Sequence, residues 1–174
     1  TQLLLGNFYI SRNDYRQAGY WWNQAALQKN SVAQYNLGML FHKGQGVKKD
    51  DERALYWWKK AAEENNAIMQ YRLGMAYLQG TLGVTDPQKA AHWLERAAQQ
   101  NHRPSLSELG YMYSHGLGVP INMAKSTEYY QRAAVLGDPV AMYNVGFHYE
   151  IGLGIEKNGK MAAMWFRKAL QHNV

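Results

Sequence analysis

The chain has 174 residues, 47% of them hydrophobic and 18% charged, which is enough apolar material for a buried core and too much for a disordered chain. Nineteen Lys and Arg against thirteen Asp and Glu leave a net charge of +6, and with a mean hydropathy of −0.52 no apolar run reaches membrane-spanning length, so no membrane insertion is expected. The absence of Cys removes disulfide frameworks, zinc fingers and thiol nucleophiles.

In chain order the sequence repeats itself. Residues 1–30 form a short first unit, with Leu5, Gly6 and Tyr9 in its first half and Ala18, Trp21, Trp22 and Ala25 in its second. Four full units follow at 31–66, 67–102, 103–138 and 139–174. Gly38, Gly74, Gly110 and Gly146 are 36 residues apart, and so are Gly44, Gly80, Gly116 and Gly152. Phe41, Tyr77, Tyr113 and Tyr149 keep the same step, as do Trp57, Trp93, Tyr129 and Trp165. Each unit reads as two helices. In 31–66, Ser31 is expected to cap a helix running to His42, Gly44 and Gly46 break it, and Asp50 or Asp51 caps a second helix through Glu64. Asn65-Asn66, Asn101-His102, Gly137-Asp138 and Asn173 end the second helices, because these residues tolerate left-handed or turn conformations. Recurrence at every unit means stacking, so Trp57, Trp93, Trp165, Phe41, Tyr77, Tyr113 and Tyr149 are expected in the core.

The stretch Gln34-Tyr35-Asn36-Leu37-Gly38-Met39-Leu40-Phe41, the loop Gly44-Gln45-Gly46-Val47 and the run Ala54-Leu55-Tyr56-Trp57-Trp58-Lys59-Lys60-Ala61-Ala62 together resemble the Sel-1-like repeat, a relative of the tetratricopeptide repeat with a longer internal loop. Departures are few. Unit 67–102 has a loop one residue longer, Gly80 to Val84, Ser126 stands where Ala is usual, and the first unit lacks the glycine loop. The resemblance implies an all-α fold, a right-handed α-α superhelix of about five helical hairpins in a single repeat domain, which is expected to be part of a longer solenoid. It also implies a non-catalytic scaffold or adapter, bacterial, with an envelope, virulence, inhibitor or immunity role. The compartment is left open, a periplasmic or secreted location being preferred to a cytoplasmic one.

First helices of stacked hairpins usually line the concave side. On a helical wheel, Leu37, Gly38 and Phe41 point one way, while Tyr35, Asn36, Met39 and His42 point the other. Their copies are Tyr71, Arg72, Met75 and Leu78, then Ser107 and Tyr111, then Tyr143, Asn144, Phe147 and Glu150. This row is expected to form a partner-binding groove, since Tyr offers contact area at low entropy cost and Met adapts its shape. Its identities vary between units, as partner contacts would require. Asn36 and Asn144 are candidates for binding peptide backbone, and Arg72 for holding a carboxylate.

Lys60, Arg96, Arg132 and Lys168 form a basic row near the ends of the second helices, where cations favour the helix dipole and hydrate the outer face. The charge points to an acidic protein partner. Nucleic acid is disfavoured, because the aromatic row carries Glu108 and Glu150 rather than basic residues. The six His make no metal-ligand spacing, and the glycine loops match no nucleotide-binding fingerprint, so no cofactor and no metal are expected. The alternative is a small-ligand-binding protein or an enzyme of the cell envelope, which a deep pocket holding a perturbed acid would favour. Leu3, Leu4 and Leu5 at one end, and Met161, Met164 and Phe166 at the other, are expected to lack a covering neighbour, which suggests self-association through the ends of the solenoid.

Overall fold

A computed structural model of the protein describes residues 1–172; the turn expected at Asn173 lies outside the described residues. Ten α-helices and no strand occur among the described residues. They are α1 (Gln2–Ile10), α2 (Tyr15–Leu27), α3 (Ser31–Lys43), α4 (Asp51–Glu63), α5 (Ala67–Gln79), α6 (Pro87–Gln99), α7 (Arg103–His115), α8 (Met123–Val135), α9 (Pro139–Ile151) and α10 (Gly159–His172). None is long and apolar enough to cross a membrane.

Capping sets these boundaries. Asp14, Asn30, Asp50, Asn66, Asp86, Asn122 and Asp138 each accept a first-turn backbone N–H through the side chain. Each such cap is worth about 1 kcal/mol. The cap of α3 is therefore Asn30 and not Ser31, because only Asn30 sits outside the helix with its Oδ1 2.9 Å from the Ala33 N–H. Ser31 makes a different bond. Its hydroxyl accepts from Asn66 Nδ2 at 3.0 Å and ties the start of one repeat to the start of the next. Asp50, not Asp51, caps α4. Helices α3, α5, α7 and α9 all end on a left-handed glycine, Gly44, Gly80, Gly116 and Gly152.

The chain divides into two compact units, Thr1–Thr85 and the part from Asp86 onward. In the first, the ring of Trp22 lies directly on Gly6 and that of Trp58 on Gly38, so each hairpin closes by laying an indole against bare helix backbone. The Trp58 Nε1–H donates to the Tyr35 carbonyl at 3.2 Å. Successive hairpins then join through buried glutamines: Gln34 Nε2 donates to the Ala26 carbonyl and Gln70 Nε2 to the Ala62 carbonyl, each at 3.2 Å. Ala18, Trp22, Ala25, Ala33, Leu37 and Leu40 form the core.

In the second unit the same closure uses other rings. A methyl built on Gly110 would lie 2.7 Å from the Tyr130 ring, and one on Gly146 would lie 2.8 Å from the Phe166 ring. Gly118 and Gly154, in the glycine loops, rest on the backbone at Pro87 and Met123, the first residues of α6 and α8. Leu106, Leu109, Met112 and Val145 are fully buried.

The expected core residues Tyr77, Tyr113 and Trp165 are buried, whereas the expectation needs correction at Phe41, Tyr149, Trp57 and Trp93, which are half-buried. In three hairpins the buried position of the second helix is one residue further on, with Trp58 at 4%, Leu94 at 0% and Tyr130 at 6% exposure, whereas in the last Trp165 itself is buried and Phe166 is half-buried. In the hairpins of Trp58 and Tyr130 the later position faces the glycine of its own hairpin; Trp57 instead lines a depression beside α2, the preceding second helix.

Candidate functional site

On the first-helix side of the first unit, α3 and α5 bound a depression of about 380 Å³. Tyr35, Met39 and His42 from α3 and Tyr71, Arg72 and Met75 from α5 line it together. Tyr35 stacks on Trp58, with centroids 5.4 Å apart and planes 18° from parallel. The Arg72 guanidinium lies 4.5 Å from the centre of the Tyr35 ring, a cation–π contact that leaves its fork at the surface. His42 Nδ1 is 2.7 Å from Asp51 Oδ1, and this bond is the main reason that the Asp51 carboxyl is held below the usual carboxylate range. Asn36 and Leu78 are half-buried and lie outside the lining.

The second unit does not gather its expected residues in the same way. Ser107 donates from Oγ to Asp138 Oδ2 at 2.6 Å, so this hydroxyl is occupied by the cap residue of α9. Tyr111 is 46% exposed and lies against His115, with ring centres 4.0 Å apart. Phe147 and Glu150 are exposed and Asn144 is half-buried. Tyr143 packs on Phe166 and lines a separate apolar depression of about 500 Å³ with Val140, Ala169 and Leu170. Burial raises the Glu108 carboxyl, but Glu108 is not among the residues lining that depression. His148 is buried, with Nδ1 2.6 Å from Thr127 Oγ1, and burial lowers its pKa. Among the described residues no group of three potential metal ligands occurs.

A further depression, of about 600 Å³, lies on the other side of the first unit, between α2 and α4, with Leu37 and Phe41 of α3 in its floor. Tyr20 and Tyr56 are more than half exposed beside it, and Arg16 and Arg53 also line it. Sequence reading missed this place because it rewarded recurrence. The signal is in the departures: Phe41 stands where later units have Tyr77, Tyr113 and Tyr149, and Asn23 stands where they have Lys59, Glu95 and Gln131. The basic row also differs from a merely hydrated face. Arg96 lies 4.9 Å from the Trp93 ring centre and Lys168 4.6 Å from that of Trp165. Arg132 donates to the Ala98 carbonyl at 2.7 Å.

Paired helices closed by a ring on a glycine, with a left-handed glycine loop between them, recur at the spacing of a known repeat. The Sel1 repeat profile matches residues 3–30, 31–66, 67–102, 104–138 and 139–174. The chain belongs to the Sel1 repeat family. Solved structures agree. It is similar to c5321, a protective antigen present in uropathogenic Escherichia coli strains, at 33% identity and a TM-score of 0.87, covering 99% of this chain. The chain spans only 38% of the length of that protein. A Sel1 repeat protein from Oxalobacter formigenes is 28% identical with a TM-score of 0.85, over 98% of this chain and 72% of that one. Helicobacter pylori cysteine rich protein B is 28% identical with a TM-score of 0.55, over 74% of this chain and 92% of that one. Comparison with curated proteins finds no match. The fold is therefore an all-α Sel1 repeat solenoid. Sel1 repeat proteins are in general protein–protein interaction scaffolds, built on a non-catalytic repeat fold.

Proposed function

We propose that this Sel1 repeat chain is a non-catalytic adapter that holds an acidic partner protein against the first-helix face, in a bacterial envelope or host-interaction role. The observation that carries the reading is the depression between α3 and α5, where Tyr35, Met39, His42, Tyr71, Arg72 and Met75 converge. Two Tyr, two Met and one Arg combine low-entropy aromatic area, adaptable thioethers and a planar cation, which are the residue types that anchor protein interfaces. In the second unit, α7 and α9 carry exposed aromatics of their own, Tyr111, Tyr143 and Phe147. The net charge of +6 favours an acidic surface opposite.

The test is affinity capture from the native lysate and envelope fraction. Wild type is compared with a variant carrying Tyr35→Ala, Tyr71→Ala, Tyr111→Ala and Phe147→Ala, its fold checked by circular dichroism. The expected result is a protein retained by wild type and lost by the folded variant. Equal retention by both moves the partner off this face. Self-association through the α9–α10 depression is the companion proposal, and a monomer mass by size-exclusion light scattering at high concentration would refute it.

A further inference from the structure

We infer that the first unit carries a second binding site, on its outer side between α2 and α4, for an acidic peptide segment with an apolar side chain. The same seam is closed elsewhere in the chain. In the second unit, Tyr113 donates its hydroxyl to Glu95 Oε1 at 2.9 Å, which bridges α7 to α6. Lys125 from α8 sits 5.0 Å from the Tyr113 ring centre, as Arg53 of α4 sits 5.5 Å from that of Phe41, so the cation is common to both seams and the hydroxyl bridge is what differs. One repeat on, Gln131 Nε2 donates to the Tyr149 hydroxyl at 3.2 Å and joins α8 to α9. The equivalent pair in the first unit is Asn23 and Phe41. Phe41 has no hydroxyl, so that bridge cannot form, and Gly19 adds no side chain where Ala91 and Thr127 stand in α6 and α8. The depression of about 600 Å³ occupies this unbridged seam.

What lines it selects the occupant. Leu37, Phe41 and Trp57 provide an apolar floor and wall, and Arg16 and Arg53 bring two guanidinium groups to the same space. Arg53 lies over the Phe41 ring at 5.5 Å and is braced by Asp50, with Nε 3.2 Å from Oδ2. Asp50 neutralises part of that charge, and Arg16 adds a second cation among the lining residues. Planar cations beside an aromatic floor suit carboxylates flanking a large apolar side chain. A basic peptide would meet two like charges there.

The inference is tested on the whole chain by 15N-resolved NMR titration with the hexapeptide DDLFDD, and with KKLFKK and DDSSDD as comparisons. The expected result is saturable shifts with DDLFDD alone, at the amides of Gly19, Asn23, Phe41 and Val47. The double variant Asn23→Glu, Phe41→Tyr recreates the Tyr113–Glu95 bridge and should abolish those shifts while keeping the rest of the spectrum. Arg16→Ala should weaken binding about tenfold, the scale of one charge-assisted hydrogen bond. The Tyr35→Ala, Tyr71→Ala protein should bind DDLFDD as wild type does, which separates this site from the one proposed on the other face. No saturable shift at millimolar DDLFDD, equal binding of KKLFKK, or undiminished binding by the bridged variant would each overturn the inference.

Discussion

A methyl group on Gly110 would lie 2.7 Å from the Tyr130 ring, closer than real side chains approach, so Gly110→Ala must push the ring away. Overpacking of this kind costs about 1–3 kcal/mol. The loss should show as a lower urea midpoint with an unchanged slope, and Tyr130→Leu in the same chain should recover part of it, since Leu94 holds that position in α6. Two histidines give a second prediction at this scale. Burial lowers the pKa of His102 and His148 from the ordinary value of 6.5. The unfolded chain then binds more protons than the folded one as pH falls below 6.5, so stability is complete above that value and declines through the lowered pKa. Urea midpoints at about pH 7.5 and about pH 5 measure the difference. His148→Gln, which keeps an amide for Thr127 but does not titrate, should reduce the dependence. A midpoint that rises toward acid would contradict the assignment.

At the scale of elements, the loops differ in what they touch. Gly154 rests on the backbone at Met123, whereas an added methyl on Gly83 would meet nothing within 4 Å, although both have positive φ. Ala at Gly83 should therefore cost about the 1–2 kcal/mol of left-handed strain. Ala at Gly154 should cost that and a displaced loop as well. Paired thermal melts test the order, and equal losses would mean that the loop contact contributes nothing. The element pattern was legible in the sequence because glycine, alanine and aromatic residues recur at a 36-residue step, and each recurrence has a steric reason. Cap positions were less legible. Asn30 and Ser31 are both good caps, and only the geometry shows that one accepts the Ala33 N–H while the other accepts from Asn66.

For the molecule as a whole, the +6 charge predicts that an acidic partner associates more slowly as salt rises, with dissociation changing little. Stopped-flow mixing at several ionic strengths measures it, and a salt-independent on-rate would remove the acidic partner from the proposal. The first-helix face was legible as a set of outward positions, since helical spacing separates Tyr35, Met39 and His42 from Leu37 and Phe41. The depression behind Phe41 was not, because one missing hydroxyl reads as a conservative change until its Tyr113 counterpart is seen bonded to Glu95.

The placement of a ring on a glycine within one hairpin bears on how such chains change length. Gly6 travels with Trp22, Gly38 with Trp58, Gly110 with Tyr130 and Gly146 with Phe166, so a duplication or excision of whole periods with its breakpoints between hairpins never parts a ring from its seat. Removing residues 103–138 would take one such couple out intact and bring Glu95 to Tyr149, a residue of the same type as the Tyr113 it lost. Copy number is thus free to drift where the joints are interchangeable. The joint at Asn23 and Phe41 is not, and a chain that recombined there would lose it.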